Sequence, residues 1–500
     1  MKPTLLLSAA LLALPTLPGM AQPAKPNIVF ILADDLGVAN VGCYGADGVK
    51  TPHIDALAKN GTRYTRAYTA PLCGPSRACI LTGRYAFRTG ATNQDATGQM
   101  TPDGETMMPT VLKQAGYVTA AVGKWGQLPL GPADFGFDDY LRFNGSGVYW
   151  SKGGKKEAYT ENGQGKTLGP KAYMPDLMHQ HVVSFLNKNQ AKPFYLYYSM
   201  SHVHGEIQPT PDSAPGSKDL YSDNLVYMDK LVGKLVAELE RLKLREKTLI
   251  VFVGDNGTAG GYAKTSTIGG KPLSGQKGMM LEGGALVPLI VSWPSVTPQG
   301  RVSEQLIDST DFFPTFAALA GAPLPTKNRL DGQSFSASVL GKPGTPRDWI
   351  FIELARQWYV REQKWKLNQA GELFDMSGAP FSEPLVPADT KDPSALAARK
   401  RLLAALDKLN PAGGILDQGD GTGRHASKAK KKEDAVATVT DKVLEGRFDK
   451  LDTKKTGKLT LEQFLSNKTD PAAAKARFAK LDTNHDGILT RDEFLAQGKK

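Results

Sequence analysis

Four apolar stretches constrain the fold of this 500-residue chain more than any other feature. They are residues 27–33 (NIVFILA), 118–125 (VTAAVGKW), 193–200 (PFYLYYSM) and 248–254 (TLIVFVG). Each has strand length, is rich in β-branched or aromatic residues, and lacks the alternation of a half-exposed strand. Such runs are buried on both faces, which calls for an α/β sheet covered by helices. Helices are readable between them. Residues 220–242 carry Leu225, Met228, Leu231, Val232, Leu235 and Leu239 at helical spacing. Residues 51–58 read as a capped helix with Pro52 in its first turn. Residues 64–70 read as a further strand.

Chemistry-bearing residues follow each run, at the strand end where open α/β sheets place ligands. Asp34 and Asp35 follow the first. Adjacent carboxylates repel, so they suit a hard divalent cation, though a turn or cap would use them too. Lys124 closes the second run, and Ser201-His202-Val203-His204 follows the third. Strand alternation would point both histidines to one face. Asp255-Asn256-Gly257 follows the fourth and would, alone, read as a turn.

Residues 73–83 (CGPSRACILTG) form the other landmark. Pro75 suits a first helical turn, which puts Cys73 just before the helix, where the dipole and free N–H groups favour an anion. Arg77, one turn on, can face the same point, making a site for sulfate or phosphate. A shorter Cys-x-Pro-x-Arg would read as a structural cysteine at a helix start. The full stretch resembles the signature of the type I sulfatases, in the alkaline phosphatase superfamily.

That resemblance implies a large mixed sheet sandwiched by helices, with a smaller C-terminal sheet subdomain. It also implies that Cys73 is oxidised by a formylglycine-generating enzyme to formylglycine, whose aldehyde hydrates to a gem-diol. One hydroxyl attacks sulfur to give a covalent sulfo-enzyme intermediate, and the other then expels sulfate. NIVFILADDLG resembles the family's opening and Asp255-Asn256-Gly257 its second metal pair. Asp34, Asp35, the modified Cys73, Asp255 and Asn256 are then an oxygen-rich set that fits Ca²⁺ better than Mg²⁺. By the same resemblance, Arg77 offsets charge, Lys124 and Lys277 contact the sulfate, and His204 with Lys277 protonates the leaving alcohol. His202 is a weaker candidate for a supporting role. The chain departs from the family at three places: Gly126 stands where many members have His, Leu286 where Arg is common, and His53 where Asn is usual. The resemblance covers about residues 26–376. The expected substrate is a sulfated small molecule or glycan. Phosphonate monoester or phosphodiester hydrolysis, and calcium-dependent glycan binding without catalysis, are the alternatives.

Composition bounds the rest. Lys2 and the apolar residues 5–14 read as a signal peptide over residues 1–21, cleaved after Ala21. No later apolar run has transmembrane length, so a periplasmic or secreted protein is expected. Three cysteines exclude a disulfide scaffold; Cys43 and Cys79 remain to pair or to stay as free thiols. The net charge is +11, and residues 421–500 hold eighteen Lys and Arg against twelve Asp and Glu. That excess suits an anionic surface, but no nucleic-acid motif accompanies it.

The expected boundaries are a catalytic domain over 26–345, a subdomain over 346–410, a Gly- and Lys-rich linker over 411–435, and a repeat over 436–500. Within 145–171 weak periodicity reads as an exposed loop. The repeat resembles an all-α pair of EF-hands. In its second loop Asp482, Asn484, Asp486, the Ile488 carbonyl, Thr490 and Glu493 fall at ligand positions, with Gly487 at the turn, so a second Ca²⁺ is expected there. The first loop has Asp452 and Gly457 but Lys454, Thr456 and Gln463 where acidic or amide ligands belong, and reads as a structural partner. A dockerin-like anchor is the rival reading.

Overall fold

The structure is a computed structural model. It describes residues 25–419 except 126, 127, 129, 144, 146 and 152–157, the side chains of 98 and 99 also excepted. In the tail it describes 448–449, 451–453, 455–466, 475, 478–479, 481–484 and 486–495. The signal segment, Gly126, most of the linker and Lys454 lie outside the described residues.

The four apolar runs are strands β1 (Asn27–Ala33), β3 (Val118–Gly123), β7 (Phe194–Ser199) and β8 (Thr248–Gly254). They lie side by side and parallel in the order β8-β1-β7-β3. Successive residues of β1 enter opposite cores: Ile28, Phe30 and Leu32 one, Val29, Ile31 and Ala33 the other. That is why the run has no polar gap. On the first face pack helices Cys73–Thr82, Met108–Gln114 and Phe312–Ala320; on the second, helices Pro52–Lys59, Met174–Lys188 and Leu220–Arg241.

The sheet has ten strands and is mixed. Beyond β8 lie β11 (Leu286–Ser292), antiparallel to its neighbours, then β2 (Thr62–Tyr68) and β12 (Arg301–Asp308). Being antiparallel to β11, β2 runs with β8 and delivers the chain to Cys73 at the same sheet edge. Beyond β3 lie β4 (Asp139–Phe143), β5 (Tyr159–Glu161) and β6 (Gln164–Lys166). The last two correct the expectation of an exposed loop over 145–171: the segment adds a hairpin to the sheet and buries Tyr149, Tyr159 and Leu168. Strands of three residues are too short for alternation to show. A small ribbon, β9 (Thr267–Ile268) and β10 (Lys271–Pro272), stands apart.

The C-terminal subdomain is the expected smaller sheet: four antiparallel strands, β13 (Ile350–Leu354), β14 (Gln357–Arg361), β15 (Trp365–Asn368) and β16 (Leu373–Asp375). Helix Pro393–Leu409 covers it, and Tyr85 and Phe87 of the larger part share its core. In the tail, β17 (Lys458–Thr460) pairs antiparallel with β18 (Ile488–Thr490) above a cluster of Phe448, Leu459, Phe464, Phe478, Leu489 and Phe494. The pairing corrects the expectation of an all-α tail. Cys43, Cys73 and Cys79 are all free thiols. Among the described residues no helix is long and apolar enough to cross a membrane.

Candidate active site

Because β8, β1, β7 and β3 are parallel neighbours, the residues after them meet at one edge although up to 221 positions separate them in sequence. Helix Cys73–Thr82 points its N-terminus at that edge, with Leu72 as N-cap and Cys73 as its first residue, one position further in than Pro75 suggests. The helix is buried along its whole length. Gly123 has φ +110, and a Cβ there would meet the Ser199 carbonyl at 1.9 Å, so only glycine lets β3 turn into Lys124 beside β7. Gly257 has the same role after Asn256, against the Gly283 carbonyl.

The Cys73 thiol donates to Asp34 Oδ1 at 3.4 Å and to Asp35 Oδ1 at 3.7 Å. Lys124 Nζ donates to Asp34 Oδ2 at 2.7 Å and to Cys73 Sγ at 3.3 Å. Lys277 Nζ bonds Asp35, and its backbone is tied to Thr258 and, through Gly278, to Pro71. Arg77 is fully buried: Nε and Nη2 donate to Asp255 Oδ2 at 3.0 and 2.7 Å, and Nη1 reaches the Lys124 carbonyl and Ser199. Four of its five N–H groups are thus engaged, and Nη2 also lies 3.8 Å from Asp34 Oδ1. Asp255 Oδ1 accepts the Asp35 N–H at 3.0 Å, which holds Asp35 at φ 59. Asn256 donates to Asp35 Oδ1 at 3.0 Å.

Three carboxylates thus face three cations in one cluster, buried except at Lys277. For Asp255 burial is the largest influence and raises its pKa, but Arg77, Lys124 and Lys277 together outweigh it and hold the carboxyl at about 2. For Asp34 burial prevails over Lys124 and the pKa rises. Lys124 and Lys277 are raised despite burial, by Asp34 and Cys73 for the first and by Cys73 and Asp35 for the second, and stay protonated. Burial, then Asp255, pushes the Cys73 thiol far up, and a protonated thiol is a poor nucleophile.

The residues fit a hard cation. One ligand atom from each of Asp34, Asp35, Cys73 and His204 lies within 4.8 Å of the others. Asn256 Oδ1 is buried without a hydrogen-bond partner, as an oxygen reserved for a cation would be. The mismatches in the set are the soft sulfur of Cys73 and the imidazole nitrogen of His204 among hard oxygens.

The two histidines do not share a face. β7 ends at Ser199 and residues 202–204 turn, so strand alternation no longer applies. His202 is fully buried, bonded to the Tyr173 hydroxyl at 3.0 Å, and burial lowers it to about 3. His204 reaches the acidic cluster from the more open side. Reading the sequence missed Ser199, the acceptor for Arg77, and Gln94, whose Oε1 accepts the Gly74 N–H at 3.0 Å beside Cys73. Neither residue type carries a signal of its own; only the fold brings them in.

In the tail, Asp482 accepts the Asp486 and Gly487 N–H groups at 3.2 and 2.9 Å, and Asn484 Oδ1 accepts the Asp486 N–H at 3.0 Å. Asp486 Oδ1 accepts the Ile488 N–H at 2.8 Å, and Glu493 spans Thr483 and Thr490. The equivalent Asp452 accepts from Thr456 and Gly457.

A sequence model of the sulfatase family matches residues 26–322. N-acetylgalactosamine-6-sulfatase of Canis lupus familiaris is 33% identical over 357 residues, 65% of this chain and 68% of that protein. Arylsulfatase A of Homo sapiens is 32% identical over 396 residues, 70% of this chain and 76% of that one. Among solved structures, that of Ps i-CgsB in complex with k-i-k-neocarrahexaose superposes with a TM-score of 0.69 at 27% identity, covering 80% of this chain and 96% of the other. With this sheet, this cluster and these relatives, the chain belongs to the sulfatase family and is a sulfuric ester hydrolase.

Proposed function

We propose that the protein removes sulfate from carbohydrate esters after conversion of Cys73 to formylglycine, with Ca²⁺ held by Asp34, Asp35, Asp255 and Asn256. The observation that carries this reading is the position of Cys73: first residue of a buried helix, 3.3 Å from Lys124 Nζ and 3.4 Å from Asp34 Oδ1. Conversion replaces the misplaced soft sulfur by oxygen, and when hydrated the group supplies a hydroxyl nucleophile and a second hydroxyl to release sulfate. Ca²⁺, when bound, supplies Lewis acidity toward the ester oxygens.

The chain's own residues do the rest. Lys124 has donor capacity beyond Asp34 and Cys73 and holds a sulfate oxygen. Arg77 acts by field and by fixing Asp255, since four of its five N–H groups are engaged. Asp255, kept ionised, can draw the proton from the attacking hydroxyl. Lys277 and His204, on the open side, protect the leaving oxygen by protonation. The carbohydrate preference is supported by the neighbour crystallised with neocarrahexaose and by the relative named for N-acetylgalactosamine-6-sulfate.

Beyond the site, we read residues 1–21 as an export signal and the tail as an EF-hand pair. Its second loop, through Asp482, Asn484, Asp486, Ile488, Thr490 and Glu493, takes Ca²⁺. The basic tail suits an anionic surface.

The test is the mass of the Cys73 peptide from protein made beside a formylglycine-generating enzyme. Loss of sulfur and gain of an aldehyde are expected. An intact thiol, under conditions that convert another sulfatase, would overturn the mechanism. The same sample should turn over sulfate esters well above phosphonate and phosphate esters.

A further inference from the structure

The turn that carries His204 hangs between β1 and one tyrosine. On one side Asp34 donates its N–H to the His202 carbonyl at 2.8 Å and accepts the Val203 N–H at 2.6 Å, so the turn is tied to the metal-facing carboxylate residue. On the other side the Tyr149 hydroxyl lies 2.9 Å from the His204 carbonyl and 3.1 Å from that of Ser201. A phenol has one proton, and here two carbonyls of one turn share it. Tyr149 is 3% exposed, with Tyr173 stacked 6.1 Å away and His202 at 5.5 Å, so its hydroxyl is held where it is by packing.

The imidazole is fixed as well. His204 Nδ1 lies 2.6 Å from the Gly205 carbonyl. A carbonyl only accepts, so Nδ1 carries the proton in that bond and Nε2 is the nitrogen left for the reacting atoms. Gly147 passes close enough to the ring that a Cβ there would lie 3.3 Å from Nδ1.

We infer that Tyr149 is a positioning residue for His204, its hydroxyl setting the height of the 201–204 turn and hence the reach of Nε2 to the leaving oxygen. The inference rests on the role given to His204 above. Chemically, a turn that sags withholds the proton from leaving groups that need one and costs little with those that leave as stable anions.

Full-length enzyme carrying Tyr149→Phe is to be compared on 4-methoxyphenyl sulfate, a poor leaving group, and 4-nitrophenyl sulfate, a good one. The expected result is a kcat loss on the first about tenfold larger than on the second, with KM changed by less than about twofold. His204→Ala should show the same pattern, and the double variant should be no worse than His204→Ala alone. Tyr173→Phe removes a hydrogen bond to His202 in the same aromatic group and should keep the native ratio between substrates. Equal losses on both substrates in Tyr149→Phe, or additive losses in the double variant, would overturn the inference while leaving His204 its role. Absence of the leaving-group effect in His204→Ala would overturn that role, and the inference with it.

Discussion

Among the described residues Arg77 is the largest fully buried side chain, and most of its guanidinium donors are engaged by neighbours. Arg77→Ala would leave Asp255 and Asp34 buried with less compensation, a change worth about 3–5 kcal/mol. It should therefore lower the urea midpoint as well as turnover, and Arg77→Lys should not restore the two N–H bonds to Asp255 Oδ2. Lys277 is different: it is tied to Asp35 at the more open side of the cluster. Lys277→Ala should cost roughly 10²–10⁴ in kcat on poor leaving groups and far less on activated phenyl sulfates. A leaving-group series measures this, and equal losses would remove the proton-donor role. Both residues were legible in the sequence as members of a site. Which of their donors are already occupied was not, because motif spacing says only which residues meet.

At the level of elements, the buried strands could be read because two-sided burial leaves an unbroken apolar run, as in β1 and β8. The β5–β6 hairpin could not, being two three-residue strands at the sheet margin, the outer one exposed. The two histidines were expected on one face because β7 was carried past Ser199, where the chain in fact turns. Local packing also yields tests. Gly257→Ala would force a Cβ against the Gly283 carbonyl and shift Asn256; a displacement of that order should cost about 100-fold in kcat/KM. Glu353 on β13 accepts the Phe87 N–H at 2.8 Å where the subdomain meets the larger part. Burial, aided by Asp417, raises its carboxyl from 4.5 to about 8. A raised folded pKa means its stabilising contribution is full below about 4.5 and is lost as pH climbs through about 8. Glu353→Gln keeps the acceptor without the charge, so melting curves between pH 5 and 9 should show a flatter decline than the native protein, with higher stability at the alkaline end.

Across the whole molecule, two kinds of calcium site are expected to behave independently. Calorimetric titration should find two Ca²⁺ per chain. Glu493→Gln should remove one of them and leave sulfate ester turnover unchanged, whereas a chelator strong enough to empty the catalytic cluster should abolish turnover until Ca²⁺ is restored. Fold class, the positions of the four central strands and the order of the motifs were present in the sequence, because burial on both faces and chemistry at a strand end leave marks in the local run of residues. Which strands are neighbours left no such mark. The arrangement β8-β1-β7-β3 brings Asp34 within reach of Lys124 and sets Asp35 against Asp255, and it arises from packing between segments far apart in the chain. Local periodicity records how deeply a residue is buried, and only the assembled sheet determines what it is buried against.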